Sequence, residues 1–225
     1  MHKMNLEKEV YEARRNILSA GIDLLDKGLV AGTWGNISVK IPNSNWIAVT
    51  PSGRNYRTMR EDDVVIVDQH GKTVASPLKP SSELPLHLAV YQARPDVQAI
   101  VHTHSIFASA CAVARQDIPP IIEDLVQIVG GSVHVAQYGF PGTESLADYA
   151  VNGLGDKQAV LLANHGMIGC APSLSEALMV CELVEKAASI YIYAQQLGGA
   201  QELAAEDVFR MRQFYLEHYR LRQGE

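Results

Sequence analysis

Cysteine is scarce in this chain of 225 residues. The three cysteines, Cys111, Cys170 and Cys181, lie far apart and form no Cys-x-x-Cys motif, which argues against a disulfide framework. No run of about 18 apolar residues occurs, so the sequence predicts no membrane-spanning helix. The opening stretch, MHKMNLEKEVYEARR, is charged and has no apolar centre. We therefore expect no signal peptide and a cytoplasmic location.

Positive charge is also in short supply. Lysine and arginine number 19 against 25 aspartates and glutamates, which gives a net charge of −6. This balance argues against non-specific binding of nucleic acid and against an anionic membrane surface. It leaves room for an anionic small substrate, because a local site can be positive on an acidic protein. Hydrophobic residues make up 47% of the chain, which is ordinary for a globular protein with a sizeable core.

Apolar periodicity switches repeatedly between helical and strand spacing. Helices are predicted over about residues 6–27 and in SSELPLHLAVYQARP, SIFASACAVA, ESLADYAVNGLG, SLSEALMVCELVEKAASIYIYAQQLGG and AEDVFRMRQFYLEHYRLRQ. Strands are predicted after the glycine turn GTWGN and in WIAVTPSG, AIVHTHS, SVHVAQY and QAVLLANHG, the last ending at His165. The stretch DDVVIVDQHGKTV is predicted as a strand, a turn and another strand. Ser81 or Ser82 is the predicted cap of the second helix. No linker or repeat interrupts this alternation, which favours one α/β domain over residues 1–225.

Two histidines follow an apolar run in AIVHTHS. Residues i and i+2 of a strand point the same way, so His102 and His104 would project together with Cα atoms about 7 Å apart. That geometry suits two imidazoles on one metal ion, whereas in a loop each ring would simply bond a neighbour. His165, at the end of LLANHG, would supply a third nitrogen and leave an open position typical of catalytic zinc, or it would only close its strand. His87 is expected on a helix.

Glu83 is the candidate acid–base residue. It stands in the predicted first turn of a helix, where a carboxylate also simply complements the helix dipole. The preceding hydroxyls of Ser81 and Ser82, with free backbone N–H groups, would form an anion site typical of phosphate binding. The turn pairs Gly35-Asn36 and Ser52-Gly53 would add donors to the same anion, although each pair is common in turns.

The stretches GTWGNIS, VTPSG, SSE, HTHS and NHG, in this order and at these separations, carry a resemblance. Together they resemble the class II aldolase/adducin-head family over about residues 10–222, and within it the fuculose-phosphate-type aldolases of bacteria. The resemblance implies a three-layer α/β/α sandwich around a mostly antiparallel central sheet. It also implies a homotetramer with each site at a subunit interface.

The same resemblance implies roles for individual residues. The zinc ligands would be His102, His104 and His165, with Glu83 at the metal, and Co²⁺, Mn²⁺ or Fe²⁺ also suit such a site. The phosphate of a small phosphorylated sugar would be held by Gly35, Asn36, Ser52, Gly53, Ser81 and Ser82. A ketose 1-phosphate would then be cleaved to dihydroxyacetone phosphate and an aldehyde through a metal-stabilised enediolate, with Glu83 moving the proton.

The roles of two further residues are implied by the resemblance alone. In the family, a tyrosine from the neighbouring subunit acts at the aldehyde end of the substrate. When IPPIIEDLVQIVGG is matched to the family's segment, Glu123 stands at the position of that tyrosine. Glu123 would then be a proton-transfer group or merely a solvated charge. In EHYRLR, Tyr219 matches a tyrosine of the closing tail, or is an ordinary residue of an amphipathic helix. The departure at Glu123 puts the aldehyde half of the substrate in doubt, and the acid at that end would be Glu123, Tyr219 or water.

Other activities remain open on this pattern. A 4-epimerase would use the same bond cleavage, but the family's longer epimerase segment has no match after the HTHS helix. A dehydratase or a decarboxylase would use the same scaffold. A non-catalytic adducin-type head would be expected to lack metal ligands and to carry a long tail, whereas all the ligands are present here.

Overall fold

The computed structural model describes residues 2–220, and the side chains of residues 5–218 and 220. The helices are α1 (His2–Asp26), α2 (Leu84–Ala93), α3 (Ile106–Ala114), α4 (Glu123–Val129), α5 (Glu144–Leu154), α6 (Leu174–Gln196) and α7 (Ala205–Phe214), with a 3₁₀ turn at Glu61–Asp63 and a π-helical turn at Tyr215–Tyr219. The strands are β1 (Asn36–Lys40), β2 (Trp46–Val49), β3 (Val65–Asp68), β4 (Thr73–Ala75), β5 (Ala99–Thr103), β6 (Val135–Ala136), β7 (Ala159–Leu162) and β8 (Gly166–Ala171). The described part of the chain contains no helix with the length and apolar character of a transmembrane span.

The strands form one sheet in the order β4-β3-β2-β1-β5-β8-β7-β6. Every pairing is antiparallel except that of β6 with β7. The central strands β1, β5 and β8 are not consecutive in the chain. Residues from three distant segments therefore meet at the middle of the sheet.

Helices cover both faces of the sheet, and each face has its own core. Alternate strand residues such as Ile37, Val101 and Leu161 pack with α1, α3 and α6. The intervening positions, such as Val49 and Ile100, pack with α2 and α5. This confirms the expected three-layer sandwich with a mostly antiparallel sheet.

Buried polar residues interrupt the face beneath α2. Asn36 and Ser38 of β1 and His102 of β5 are each at most 5% exposed, and by strand alternation they share the face on which Ile100 packs. Burying such groups is costly unless each finds a hydrogen-bond partner. These positions therefore lead directly to the functional site.

The predicted end of one strand is wrong, and two elements were not predicted. β7 ends at Leu162, three residues before His165, and the chain turns through Asn164 at a φ of 55°. β8 was not predicted, because GMIGCA holds two glycines, which weaken strand propensity. In the structure it is fully buried and pairs with β5 on one side and β7 on the other. α4 was not predicted either, since its seven residues are too few for a clear helical period.

The start of α2 also differs from the expectation. Neither Ser81 nor Ser82 caps the helix; Glu83 occupies the N-cap position and makes no side-chain cap bond. The Ser81 hydroxyl instead accepts a hydrogen bond from the backbone N–H of Glu83 at 3.2 Å. This local turn delays the helix by about one residue, because a serine can bond the backbone two positions on.

Candidate metal centre and anion cradle

Three histidines converge where β5 ends and β8 begins. His102 belongs to β5 and His104 follows it, while His165 lies in the turn before β8. Their ring nitrogens lie within 4.8 Å of one another, and the Nε2 atoms of His102 and His104 are 2.8 Å apart. The structure thus brings together the three predicted ligands, although His104 lies one residue beyond the strand that was expected to hold it.

The environment of these rings favours the neutral imidazole, which has a nitrogen lone pair to offer, over the protonated ring. Burial, followed by the rings of His165 and His104, holds the pKa of His102 well below its usual range. Burial and His165 also lower the pKa of His104. Nδ1 of His102 lies 2.8 Å from the carbonyl oxygen of Met167, which can only accept, so Nδ1 carries the proton and Nε2 presents its lone pair to the cluster. Such a nitrogen cluster fits a divalent cation of the zinc class.

Glu83 completes the cluster. One carboxylate oxygen, Oε1, is 3.2 Å from His165 Nε2, and the other, Oε2, is 3.2 Å from His102 Nε2. Oε2 also accepts a hydrogen bond from Asn36 Nδ2 at 2.8 Å. The side chain is almost fully buried. A carboxylate in this position can bind a metal ion or exchange a proton with a substrate beside it.

A glycine allows the β1 segment to approach the histidines. Gly35 has a φ of +84°, and a Cβ atom there would lie 2.7 Å from the carbonyl oxygen of His102. Both facts exclude a side chain at this position. The adjacent Asn36 is therefore held directly against β5, within reach of Glu83.

Most of the predicted site residues line a single cavity of about 470 Å³. Its walls include the metal-centre residues Glu83, His104 and His165 and all six predicted phosphate contacts, Gly35, Asn36, Ser52, Gly53, Ser81 and Ser82. His102 lies fully buried behind them. The cavity therefore joins the nitrogen cluster to a wall rich in hydroxyl and glycine residues.

The six cradle residues differ in what they offer. Ser52, Gly53 and Ser82 are exposed to the cavity. The Ser81 hydroxyl is already bonded to the Glu83 backbone, and the Asn36 amide bridges Glu83 and another side chain. Free hydroxyl capacity is therefore greatest at Ser52 and Ser82.

The two residues proposed for the aldehyde end stand apart from this cavity. Glu123 is the first residue of α4, is exposed, and is not among the cavity residues of its own chain. Tyr219 ends the π-helical turn, and its side chain lies outside the described part of the structure. Both roles remain predictions.

Two neighbours of the site were missed from the sequence. Trp34 is 65% exposed at the cavity wall, with its ring centroid 5.7 Å from that of His104. His87 is fully buried beneath the site and bonds Asn36. The sequence signal for His87 was a histidine within an apolar helix, and the signal for Trp34 was an aromatic residue in a glycine turn.

Comparison with known proteins agrees with this geometry. The class II aldolase and adducin N-terminal domain family matches residues 15–192. A 5-deoxy-D-ribulose 1-phosphate aldolase of Bacillus thuringiensis serovar kurstaki is 38% identical over 205 residues, 91% of this chain and 94% of that protein. An L-fuculose phosphate aldolase of Escherichia coli K12 is 34% identical, and the match covers 79% of this chain and 81% of that protein. A solved L-fuculose 1-phosphate aldolase superposes with a TM-score of 0.89 at 34% identity, covering 91% of this chain and 96% of the other.

Proposed function

The chain belongs to the class II aldolase and adducin N-terminal domain family, and from this premise we propose that it is a metal-dependent aldolase acting on a ketose 1-phosphate. The products would be dihydroxyacetone phosphate and an aldehyde. The observation that carries the proposal is the shared cavity, whose walls include Glu83, His104 and His165 together with exposed cradle residues such as Ser52 and Ser82.

The donor set supports a resident zinc ion, with Co²⁺, Mn²⁺ or Fe²⁺ as alternatives. His102, His104 and His165 would hold the ion, with Glu83 beside it. Facing nitrogen lone pairs only 2.8 Å apart repel one another unless a proton or a cation lies between them. When bound, the ion would supply a Lewis acid for the oxygens at the reacting carbons.

The residues of the chain would divide the remaining work. Ser52, Ser82 and nearby N–H groups would anchor the phosphate and so fix the position of the sugar. Cleavage of the C3–C4 bond leaves an enediolate, and the Glu83 carboxyl would donate a proton to C3, releasing dihydroxyacetone phosphate. In the reverse direction the Glu83 carboxylate would take that proton back.

The aldehyde end needs its own proton acceptor, since the C4 hydroxyl loses a proton as the bond breaks. We infer that this group comes from a neighbouring subunit of a homotetramer, with Glu123 and Tyr219 as the candidates. The exposed position of Glu123 outside the cavity of its own chain supports this inference. Sedimentation of the native protein and the activity of E123Q test it: a monomer with full activity would contradict both parts.

The names of the relatives support the choice of substrate. 5-Deoxyribulose and fuculose each carry a methyl group at the end remote from a 1-phosphate. We therefore propose a ketose 1-phosphate that releases an aldehyde with an apolar end. A 4-epimerase, a dehydratase or a decarboxylase on the same scaffold would act on a related sugar phosphate without releasing that aldehyde.

One assay separates these activities. Metal-loaded protein is incubated with the 1-phosphates of fuculose, ribulose, 5-deoxyribulose and methylthioribulose and with ribulose 5-phosphate, and dihydroxyacetone phosphate is measured by coupled reduction. Release is expected, and E83Q should abolish it whereas the surface control E144Q should not. Substrate conversion to an isomer or a dehydrated product would replace the aldolase assignment, and failure to bind any divalent metal would favour a non-catalytic head.

A further inference from the structure

A chain of hydrogen bonds runs beneath the site from α2 to Glu83. The Tyr91 hydroxyl lies 2.8 Å from Ser38 Oγ, which lies 2.6 Å from His87 Nδ1. On the other side of the ring, His87 Nε2 lies 2.5 Å from Asn36 Oδ1, and Asn36 Nδ2 donates to Glu83 Oε2 at 2.8 Å. The five side chains thus connect a tyrosine outside the cavity to the candidate acid–base residue.

Only one pattern of donors satisfies this chain. Asn36 Oδ1 can only accept, so His87 Nε2 carries the ring proton. The ring is fully buried, which favours its neutral form, so His87 Nδ1 accepts from the Ser38 hydroxyl. Ser38 in turn accepts from Tyr91. Every donor therefore points along the chain toward Glu83.

This pattern also fixes the amide of Asn36. With Oδ1 held by His87, the NH₂ group has to face the Glu83 carboxylate. A rotated amide would place oxygen against oxygen at Glu83, and it would force His87 into the other tautomer, with Nδ1 donating to Ser38. The oxygen–oxygen contact is costly for buried groups. The orientation of Asn36 is thus coupled to the tautomer of His87, whose ring bonds Asn36 on one side and Ser38 on the other.

The hydrogen-bonded chain lies in a part of the core that is otherwise apolar. Ser38, His87 and Tyr91 lie between β1 and α2, where the neighbouring core residues, such as Leu86 and Val90, are apolar. An apolar side chain at position 87 would satisfy that core without any need for partners. A complete polar chain in such a place rigidifies one arrangement of its members.

We propose that His87 is a positioning residue for Glu83, acting through Asn36, and that Ser38 and Tyr91 lock the ring of His87 in the required tautomer. The proposal rests on the proposed function only for its kinetic readout. Groups that orient metal-site residues typically contribute 10–100-fold to activity or metal affinity.

The first test compares two substitutions of His87. H87L removes the donor to Asn36, and we expect kcat to fall by about 10–100-fold with little change in KM, because the Asn36 amide bonds Glu83 and the exposed hydroxyls of Ser52 and Ser82 are left in place. H87Q keeps an N–H donor near the position of Nε2 and should recover a large part of kcat. H134Q, at a surface histidine, is the control and should leave kcat unchanged. A merely structural role for His87 would predict equal losses in H87L and H87Q.

The second test avoids a large change in the core. Y91F removes only the distant hydroxyl, and the loss of one hydrogen bond predicts a fall in kcat of about threefold. Y149F, on α5 against the same core, is the matched control and should leave kcat unchanged. If H87L does not fold, Y91F and S38A decide the question, and unchanged kcat in both would overturn the proposal.

The third readout is independent of catalysis. Titration with Co²⁺, followed by its visible absorption, should show an affinity about tenfold weaker in H87L than in wild type and H134Q. If the wild-type protein cleaves no sugar phosphate, the proposed function fails but this titration still tests the network. Equal Co²⁺ affinity in wild type and H87L, together with equal kcat wherever activity exists, would overturn the proposal.

Discussion

A Cβ atom at Gly166 would lie 2.2 Å from the carbonyl oxygen of Thr103. It would also lie 3.1 Å from His104 Cδ2 and 3.3 Å from His102 Cε1. Strands β8 and β5 are therefore in direct backbone contact at the point where the three imidazoles meet. The absence of a side chain at Gly166 is what allows His165, one residue earlier, to reach the cluster.

Substitution of Gly166 should therefore damage the metal centre. In G166A the new Cβ atom would clash with the carbonyl oxygen of Thr103 and force β8 and β5 apart. We therefore expect the affinity for Zn²⁺ or Co²⁺ to fall by more than about tenfold. G169A is the control, because its Cβ would lie 2.7 Å from Cys181 Sγ in the core instead. Both variants should lose thermal stability, but unchanged metal affinity in G166A would contradict this explanation.

The two serines before α2 should have separable roles. Ser82 is exposed in the cavity, and S82A should raise KM for the sugar phosphate by about 2–10-fold with kcat nearly unchanged. Ser81 bonds the backbone N–H of Glu83, so S81A should lower kcat as well. Steady-state kinetics of both variants measure this, and identical effects on kcat would refute the distinction.

His87 should make the stability of the metal-free protein depend on pH. Its pKa is about 3 in the folded protein and about 6.5 when unfolded, so between these values the unfolded chain binds more protons. Stability is therefore lost as pH falls through 6.5 toward 3. From about pH 7.5 to about pH 5, wild type should lose about 2 kcal/mol more unfolding free energy than H87Q. Urea unfolding in EDTA measures the difference, and equal losses would show that His87 titrates alike in both states.

Glu185 of α6 should stabilise the protein through α3. Its two carboxylate oxygens accept hydrogen bonds from the backbone N–H groups of Phe107 and Ala108 at 2.9 and 2.8 Å, which satisfies the first turn of α3 as a cap would. E185A should cost about 1–2 kcal/mol of unfolding free energy.

A control lies on the same helix. Glu182 pairs with Lys27 at the surface, where both side chains are about two-fifths exposed, so E182A should cost less than about 1 kcal/mol. Chemical denaturation of both variants measures the two costs. A larger loss in E182A than in E185A would contradict the capping role.

Local sequence determined much of this protein. Strand and helix periods predicted most elements, since they record which face of each element is buried. The spacing of His102 and His104 predicted that the two rings would converge, because side chains in extended backbone alternate. Turn chemistry likewise singled out Gly35 and Gly53, and both have positive φ.

Tertiary structure alone decided how these pieces meet. Nothing local says that β1, β5 and β8 are neighbours, yet that order brings Asn36, His102 and His165 to the carboxylate of Glu83. It also decided that His87 lies over β1, where a histidine in an apolar helix becomes part of a polar network. The physical reason is that burial and hydrogen bonding between distant segments depend on sheet order, whereas the sequence pattern records only which face of each segment is apolar.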